Sequence, residues 1–144
     1  MKSCVFFGHR DYDYTNHKDL IIKTIEELFN KHGVTTFYCG GRGDFDYLCE
    51  KCVSKVKMLN TITFVKFLSY YPKNKDYKNN FYDETMYLLE EKVPAKFAIY
   101  YTNRKIVDMC DYIVVGIKRK YGGAYSALKY AKKKNKKIIN ILDM

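Results

Sequence analysis

An α/β fold on a mostly parallel sheet, covered by helices on both faces, is the architecture this 144-residue sequence predicts. Three observations lead there. Short apolar runs with β character alternate with longer segments of helical period, which is the pattern of strand–helix–strand units. The runs are apolar along their length, as strands buried on both faces are. Glycines also follow three of the runs, at Gly8, Gly40-Gly41 and Gly122-Gly123. The length fits one domain, residues 1–144, with room for a proper core.

In chain order, Lys2 to Phe7 reads as the first, buried strand, ending at Gly8-His9-Arg10. A helix is expected from Asn16 to Lys31, where Leu20, Ile21, Ile25, Leu28 and Phe29 keep helical spacing; Asn16 can cap it and Gly33 can stop it. Val34 to Tyr38 is the second strand and Gly43 to Met58 the second helix. Thr61 to Leu68, rich in β-branched and aromatic residues, is the third strand. The polar stretch 69–80 is too long for an ordinary turn and reads as a lid, a binding loop or a plain connection. Asp83 to Lys92 is expected as a short helix stopped before Pro94, and Lys96 to Tyr100 as a short strand or extended piece. Thr102 then caps a helix through Asp108. Tyr112 to Ile117 is the most strand-like run and therefore central, Ala124 to Lys134 is the last helix, and Lys137 to Leu142 closes the sheet.

The charge is uneven. The formal net charge is +10, and Lys118, Arg119, Lys120, Lys129, Lys132, Lys133, Lys134, Lys136 and Lys137 fall in one segment free of acidic residues. Such a field attracts nucleic acid or phosphorylated ligands, or is simply a solvated lysine-rich face. No apolar run is long enough to span a bilayer and the N-terminus turns to charge after seven residues, so a cytoplasmic protein with no membrane partner is expected. Five cysteines is an odd number and argues against a disulfide framework. Cys49 and Cys52 have the spacing of a metal or redox pair, yet share a helix face with Phe45, Leu48, Val53 and Val56, which favours core packing; no metal site and no cofactor are expected.

The chemistry gathers at Phe37-Tyr38-Cys39-Gly40-Gly41-Arg42-Gly43-Asp44-Phe45-Asp46, a strand, a tight turn and a helix start. Glycine lets backbone approach a ligand, and free N–H groups of a first helical turn favour an anion. A tight strand–helix connection explains the same residues. In parallel sheets ligands sit at the carboxyl ends of the strands where the winding reverses, so Gly8-His9-Arg10, Gly40-Gly41-Arg42-Gly43 and Gly122-Gly123 can converge on one crevice. Arg10, Arg42 and Arg104 can meet phosphate through planar guanidinium groups, or form surface ion pairs with Asp11, Asp44 or Asp108. Asp46 can bind a ribose hydroxyl or cap its helix. His9 can donate to a ligand oxygen or bond a neighbouring loop. Tyr70, Tyr71 and Tyr77 can stack on a base or pack the loop, and Glu84 and Asp83 are the carboxylates available near a lid, with Glu84 the catalytic candidate.

Four segments in this order, Phe6-Phe7-Gly8-His9-Arg10, Gly40 to Asp46, Thr102-Asn103-Arg104-Lys105-Ile106-Val107 and Gly122-Gly123-Ala124, resemble the YpsA-like branch of the SLOG superfamily, which also holds the LOG cytokinin-activating phosphoribohydrolases and the DprA DNA-processing proteins. The resemblance implies a Rossmann-like three-layer sandwich and a bacterial or phage setting. It also implies a crevice for a nucleotide-derived ligand such as ADP-ribose or a signalling nucleotide, touched by Gly8, His9, Arg10, Gly40, Gly41, Arg42, Gly43, Asp46, Arg104, Gly122, Gly123 and Ser126. Members often form homodimers or higher oligomers. In the LOG-type loop Pro-Gly-Gly-x-Gly-Thr-x-x-Glu the glutamate helps to cleave an N-glycosidic bond. Here Gly122 and Gly123 remain, Ser126 replaces the threonine, and Lys129 stands in place of the glutamate. A lysine neither stabilises an oxocarbenium-like centre nor activates water, so a sensor or binding protein is the leading expectation. An N-glycosidic hydrolase and a DprA-like single-stranded nucleic-acid binder, using Lys118 to Lys137, are the alternatives.

Overall fold

The computed structural model describes residues 2–70, 81–89 and 93–142. Six parallel strands form one sheet: β1 (Lys2–Gly8), β2 (Val34–Cys39), β3 (Thr63–Leu68), β4 (Glu84–Tyr87), β5 (Tyr112–Gly116) and β6 (Lys137–Asn140). Their order is β4-β3-β2-β1-β5-β6. The chain therefore winds outward from β1 to β4, then returns to place β5 on the free side of β1, and the winding reverses between β1 and β5. The helices are α1 (Lys18–His32), α2 (Asp44–Lys57), α3 (Ala95–Met109) and α4 (Gly123–Lys133).

Side-chain alternation along β1 divides the core. Cys4 and Phe6 pack with Ile21, Ile25 and Leu28 of α1 and Phe45, Cys49 and Val53 of α2. Val5 and Phe7 pack on the opposite face with Ile106 and Val107 of α3 and Ala127, Leu128 and Ala131 of α4. This is the three-layer α/β arrangement expected from the continuous apolar runs. Cys49 and Cys52 belong to the first of these clusters, and all five cysteines are buried and free.

Two elements differ from the sequence expectation. Residues 84–87 form a strand rather than part of a helix, pairing with β3 in the register Val65 to Glu84 through Leu68 to Tyr87. Asp83 sets that pairing: its N–H donates to the Phe64 carbonyl at 2.8 Å, its Oδ2 accepts from the Phe64 N–H at 2.8 Å, and its Oδ1 pairs with Lys57. Lys96 to Tyr100, expected as extended, is the first part of α3, which starts directly after Pro94 instead of being capped at Thr102. The buried residues Ala98, Thr102, Ile106 and Val107 show why, since spacings of three and four put them on one helix face against the sheet. Most of the 69–80 stretch, with Tyr71 and Tyr77, lies outside the described residues.

Candidate functional site

The turns at the carboxyl ends of β1, β2 and β5 enclose a crevice of about 330 Å³. It is lined by Gly8, His9, Arg10, Asp11, Gly40, Arg42, Asp46, Phe67, Asn103, Arg119, Tyr121, Gly122 and Gly123, with Ile99 at its α3 side. The switch in winding puts it there, between β1 and β5.

Gly8 gives the crevice a stretch of bare backbone. Gly8 and Gly116 are register partners on β1 and β5, and the buried ring of Phe45 lies across both. A methyl group on Gly8 would fall 2.2 Å from Phe45 Cγ, and one on Gly116 would fall 2.7 Å from the same ring. Tyr14 closes this layer. Its hydroxyl donates to the Gly116 carbonyl at 2.5 Å and accepts from the His9 N–H at 2.8 Å, and burial pushes its phenol pKa up.

The two glycine-marked helix starts behave differently. At α2, the N–H of Asp44 donates to the Arg10 carbonyl at 2.9 Å and that of Phe45 to the His9 carbonyl at 3.3 Å. Gly43, at φ +100°, permits this contact, because a side chain there would sit 2.4 Å from Arg10 Cα. The anion cradle expected at Gly40 to Gly43 is thus partly filled by the protein's own carbonyls. At α4, Gly122 stands at the cap position with no side-chain cap, and a methyl group on either Gly122 or Gly123 would meet no atom within 4 Å. Among the described residues no acceptor takes the N–H groups of Gly123, Ala124 or Tyr125, and Gly122, Gly123 and Ala124 line the crevice. The open helix end is that of α4.

Asp46, at the start of α2, is 8% exposed, and its Oδ2 accepts the Arg42 N–H at 2.8 Å. It therefore ties down the glycine turn from inside. Burial pushes its carboxyl up to about 6, against the opposing pull of the Arg42 N–H and charge. Arg42 reaches Ser69 Oγ at 3.1 Å, and burial lowers its pKa despite Asp46. His9 is 7% exposed, and its Nε2 accepts the N–H groups of Lys118 at 3.0 Å and Arg119 at 3.2 Å. A nitrogen that accepts is unprotonated, and burial, followed by the Arg119 charge, holds the imidazole below its ordinary pKa. His9 thus spends this nitrogen on the loop after β5. Arg119 pairs with Asp11 at 2.6 Å, and both line the crevice.

The predicted residues divide cleanly by position. Gly8, His9, Arg10, Gly40, Arg42, Asp46, Gly122 and Gly123 line the crevice. Gly41 faces Lys66 and the buried carboxylate of Glu50, which accepts from Tyr82. Arg104 and Ser126 line a neighbouring cavity of about 180 Å³ between α3 and α4, where the Arg104 guanidinium lies 4.4 Å from the Tyr100 ring centre and 4.6 Å from that of Tyr130. Glu84 is exposed at the amino end of the edge strand β4 and does not line the crevice. Lys129 is exposed on α4 beside Tyr125 and lines neither cavity. Sequence reasoning missed Asn103, Arg119, Phe67 and Tyr121. Asn103 is 7% exposed, its Oδ1 has no hydrogen-bond partner, and it lines both cavities.

No family model and no curated protein matches the sequence. Solved structures do match in fold. A DNA processing protein A from Helicobacter pylori, described for its single-stranded DNA binding mode, superposes with a TM-score of 0.67 at 18% identity, covering 95% of this chain and 63% of that one. DprA from Streptococcus pneumoniae gives 0.68 at 18% identity, covering 95% and 49%. The molybdenum-cofactor carrier protein of Chlamydomonas gives 0.59 at 12% identity, covering 98% and 76%. The chain spans less than two thirds of either DprA. At these identities the likeness is one of fold.

Proposed function

We propose that the crevice binds a phosphorylated, nucleotide-derived ligand, with its anion on the amino end of α4 and its remainder between the ends of β1 and β2. The open start of α4 carries this reading. Unpaired N–H groups and the helix dipole favour an anion, and the glycine pair leaves room for it. Arg10, Arg42 and Arg119 line the same crevice and add positive charge. Arg104 and Ser126 wait in the adjoining cavity, which shares Asn103 and Gly123 with the crevice.

Binding without turnover fits the carboxylates available. Lys129 occupies the place of the LOG-type glutamate and Glu84 lies off the crevice, which leaves, among the described residues lining it, Asp46, already bonded to the Arg42 N–H, and Asp11, already paired with Arg119. The test is thermal shift and calorimetry with AMP and ADP-ribose. Saturable binding is expected. Gly123→Asp should abolish it by placing a carboxylate where the anion sits, and Arg10→Ala should weaken it about tenfold, the scale of one charge-assisted contact. No stabilisation by either compound would sink the proposal, and release of free adenine would convert it to the hydrolase alternative.

A further inference from the structure

Asn103 is in an unusual position for a free protein. It sits in α3, a helix that packs on the α4 face of the sheet, and is 93% removed from solvent on the complement of its 7% exposure. Its Oδ1 nevertheless finds no donor. Among the described residues few buried side-chain atoms are unpaired, and of these Asn103 Oδ1 belongs to a residue that lines both the crevice and the α3–α4 cavity. A buried acceptor left unpaired is costly, and such atoms call for an explanation. Packing supplies none, because a leucine of similar size would fill the same place without an orphaned carbonyl. The residues around it point outward to a ligand: the neighbouring Gly123 opens α4 with unpaired N–H groups, and Ile99 gives an apolar contact one helical turn away.

We infer that Asn103 is a specificity-determining residue, accepting a hydrogen bond from an O–H or N–H group on the same ligand whose anion occupies the start of α4. The inference rests on the ligand reading above and sharpens it. An anion alone, such as inorganic phosphate, satisfies α4 and leaves Asn103 unpaired. The preferred ligand carries a donor close to its phosphate, either a sugar hydroxyl or the amino group of a base. A site whose buried polar group is satisfied by the ligand discriminates strongly against an analogue that lacks the matching group.

The experiment compares AMP with 2′-deoxy-AMP, 3′-deoxy-AMP and IMP on the full chain and on Asn103→Leu, by calorimetry. One analogue should bind the parent protein about five- to tenfold more weakly than AMP, the scale of one hydrogen bond. If it is a deoxy compound the donor is that hydroxyl, and if it is IMP the donor is the base amino group. Asn103→Leu should bind AMP and that analogue equally, at the weaker value, while still distinguishing the others as the parent does. The variant should also melt higher than the parent when free of ligand, which a purely structural asparagine would not produce. Asn103→Ser, too short to reach the ligand yet easily accommodated, provides the same affinity comparison should leucine disturb the fold. Equal AMP affinity in parent and variants overturns the inference and leaves the ligand reading intact. Failure of AMP to bind the parent protein overturns both.

Discussion

At the scale of single residues, the crevice is built from groups that each carry a cost in the free protein. Asp46 is the plainest. Its carboxyl is buried and its pKa is raised to about 6, so the folded protein holds the proton more tightly than the unfolded chain. The sign follows directly: a raised folded pKa means that its stabilising contribution is complete below the unfolded carboxylate range and is lost as pH rises through about 6. Asp46→Asn keeps an oxygen for the Arg42 N–H and removes the ionisation. It should therefore stabilise the free protein near neutral pH by roughly 2–3 kcal/mol, with the difference vanishing below about pH 4. Denaturant unfolding of both proteins across that range checks this, and a difference independent of pH would show that the carboxyl is not buried as described. These costs could not be read from the sequence. Asp46 was visible there as a ligand contact or a helix cap; its role in pinning the Arg42 N–H depends on a turn that only the folded chain makes. Asn103 stood inside a recognised motif, but an orphaned atom is a property of its surroundings.

At the scale of elements, most of the architecture was legible because strands buried on both faces write themselves as unbroken apolar runs. β1 and β5 are of this kind, and β2 and β3 are close to it, interrupted by Thr35-Thr36 and Lys66. β4 was not, since an edge strand is half-exposed and Met86, Leu88 and Leu89 suit a helix as well as a strand. Local preference lost there to Asp83, whose hydrogen bonds with Phe64 and ion pair with Lys57 bring the segment alongside β3. Asp83→Ala should thus lower stability by about 1–2 kcal/mol and expose the β4 amides to hydrogen exchange. Ligand affinity should remain unchanged, as no β4 residue lines the crevice. Coupled loss of exchange protection and binding would show that the edge strand supports the site. α3 was misread for the opposite reason: Phe97, Ile99, Tyr100 and Tyr101 look like a strand locally, and only the longer spacing of Ala98, Thr102 and Ile106 reveals the helix.

At the scale of the whole molecule, the net charge is +10, and of the basic segment after β5 Arg119 lines the crevice while its lysines do not. Lys129 lies against Tyr125, Lys134 against Tyr130 and Lys137 against Tyr112, so part of this basic surface is interleaved with aromatic rings. Basic side chains interleaved with rings are the composition that follows a single strand of nucleic acid, and the two functions separate by their response to salt. A small ligand at α4 should lose less than about tenfold in affinity between about 50 and about 200 mM salt, whereas a strand neutralising about six phosphates should lose about two orders of magnitude or more. Oligonucleotide binding with the steeper response, unaffected by AMP, would move the function from the crevice to the lysine surface.

The start of α2 is occupied by the protein's own backbone. Because His9 and Arg10 have already given their carbonyls to its N–H groups, the crevice offers an anion one open helix end rather than two facing each other. The pocket consequently has a polarity. In the proposed binding mode a ligand with a single charged terminus lays that terminus on α4; turned end for end, it finds the first N–H groups of α2 already taken and depends on the Arg10 and Arg42 side chains alone.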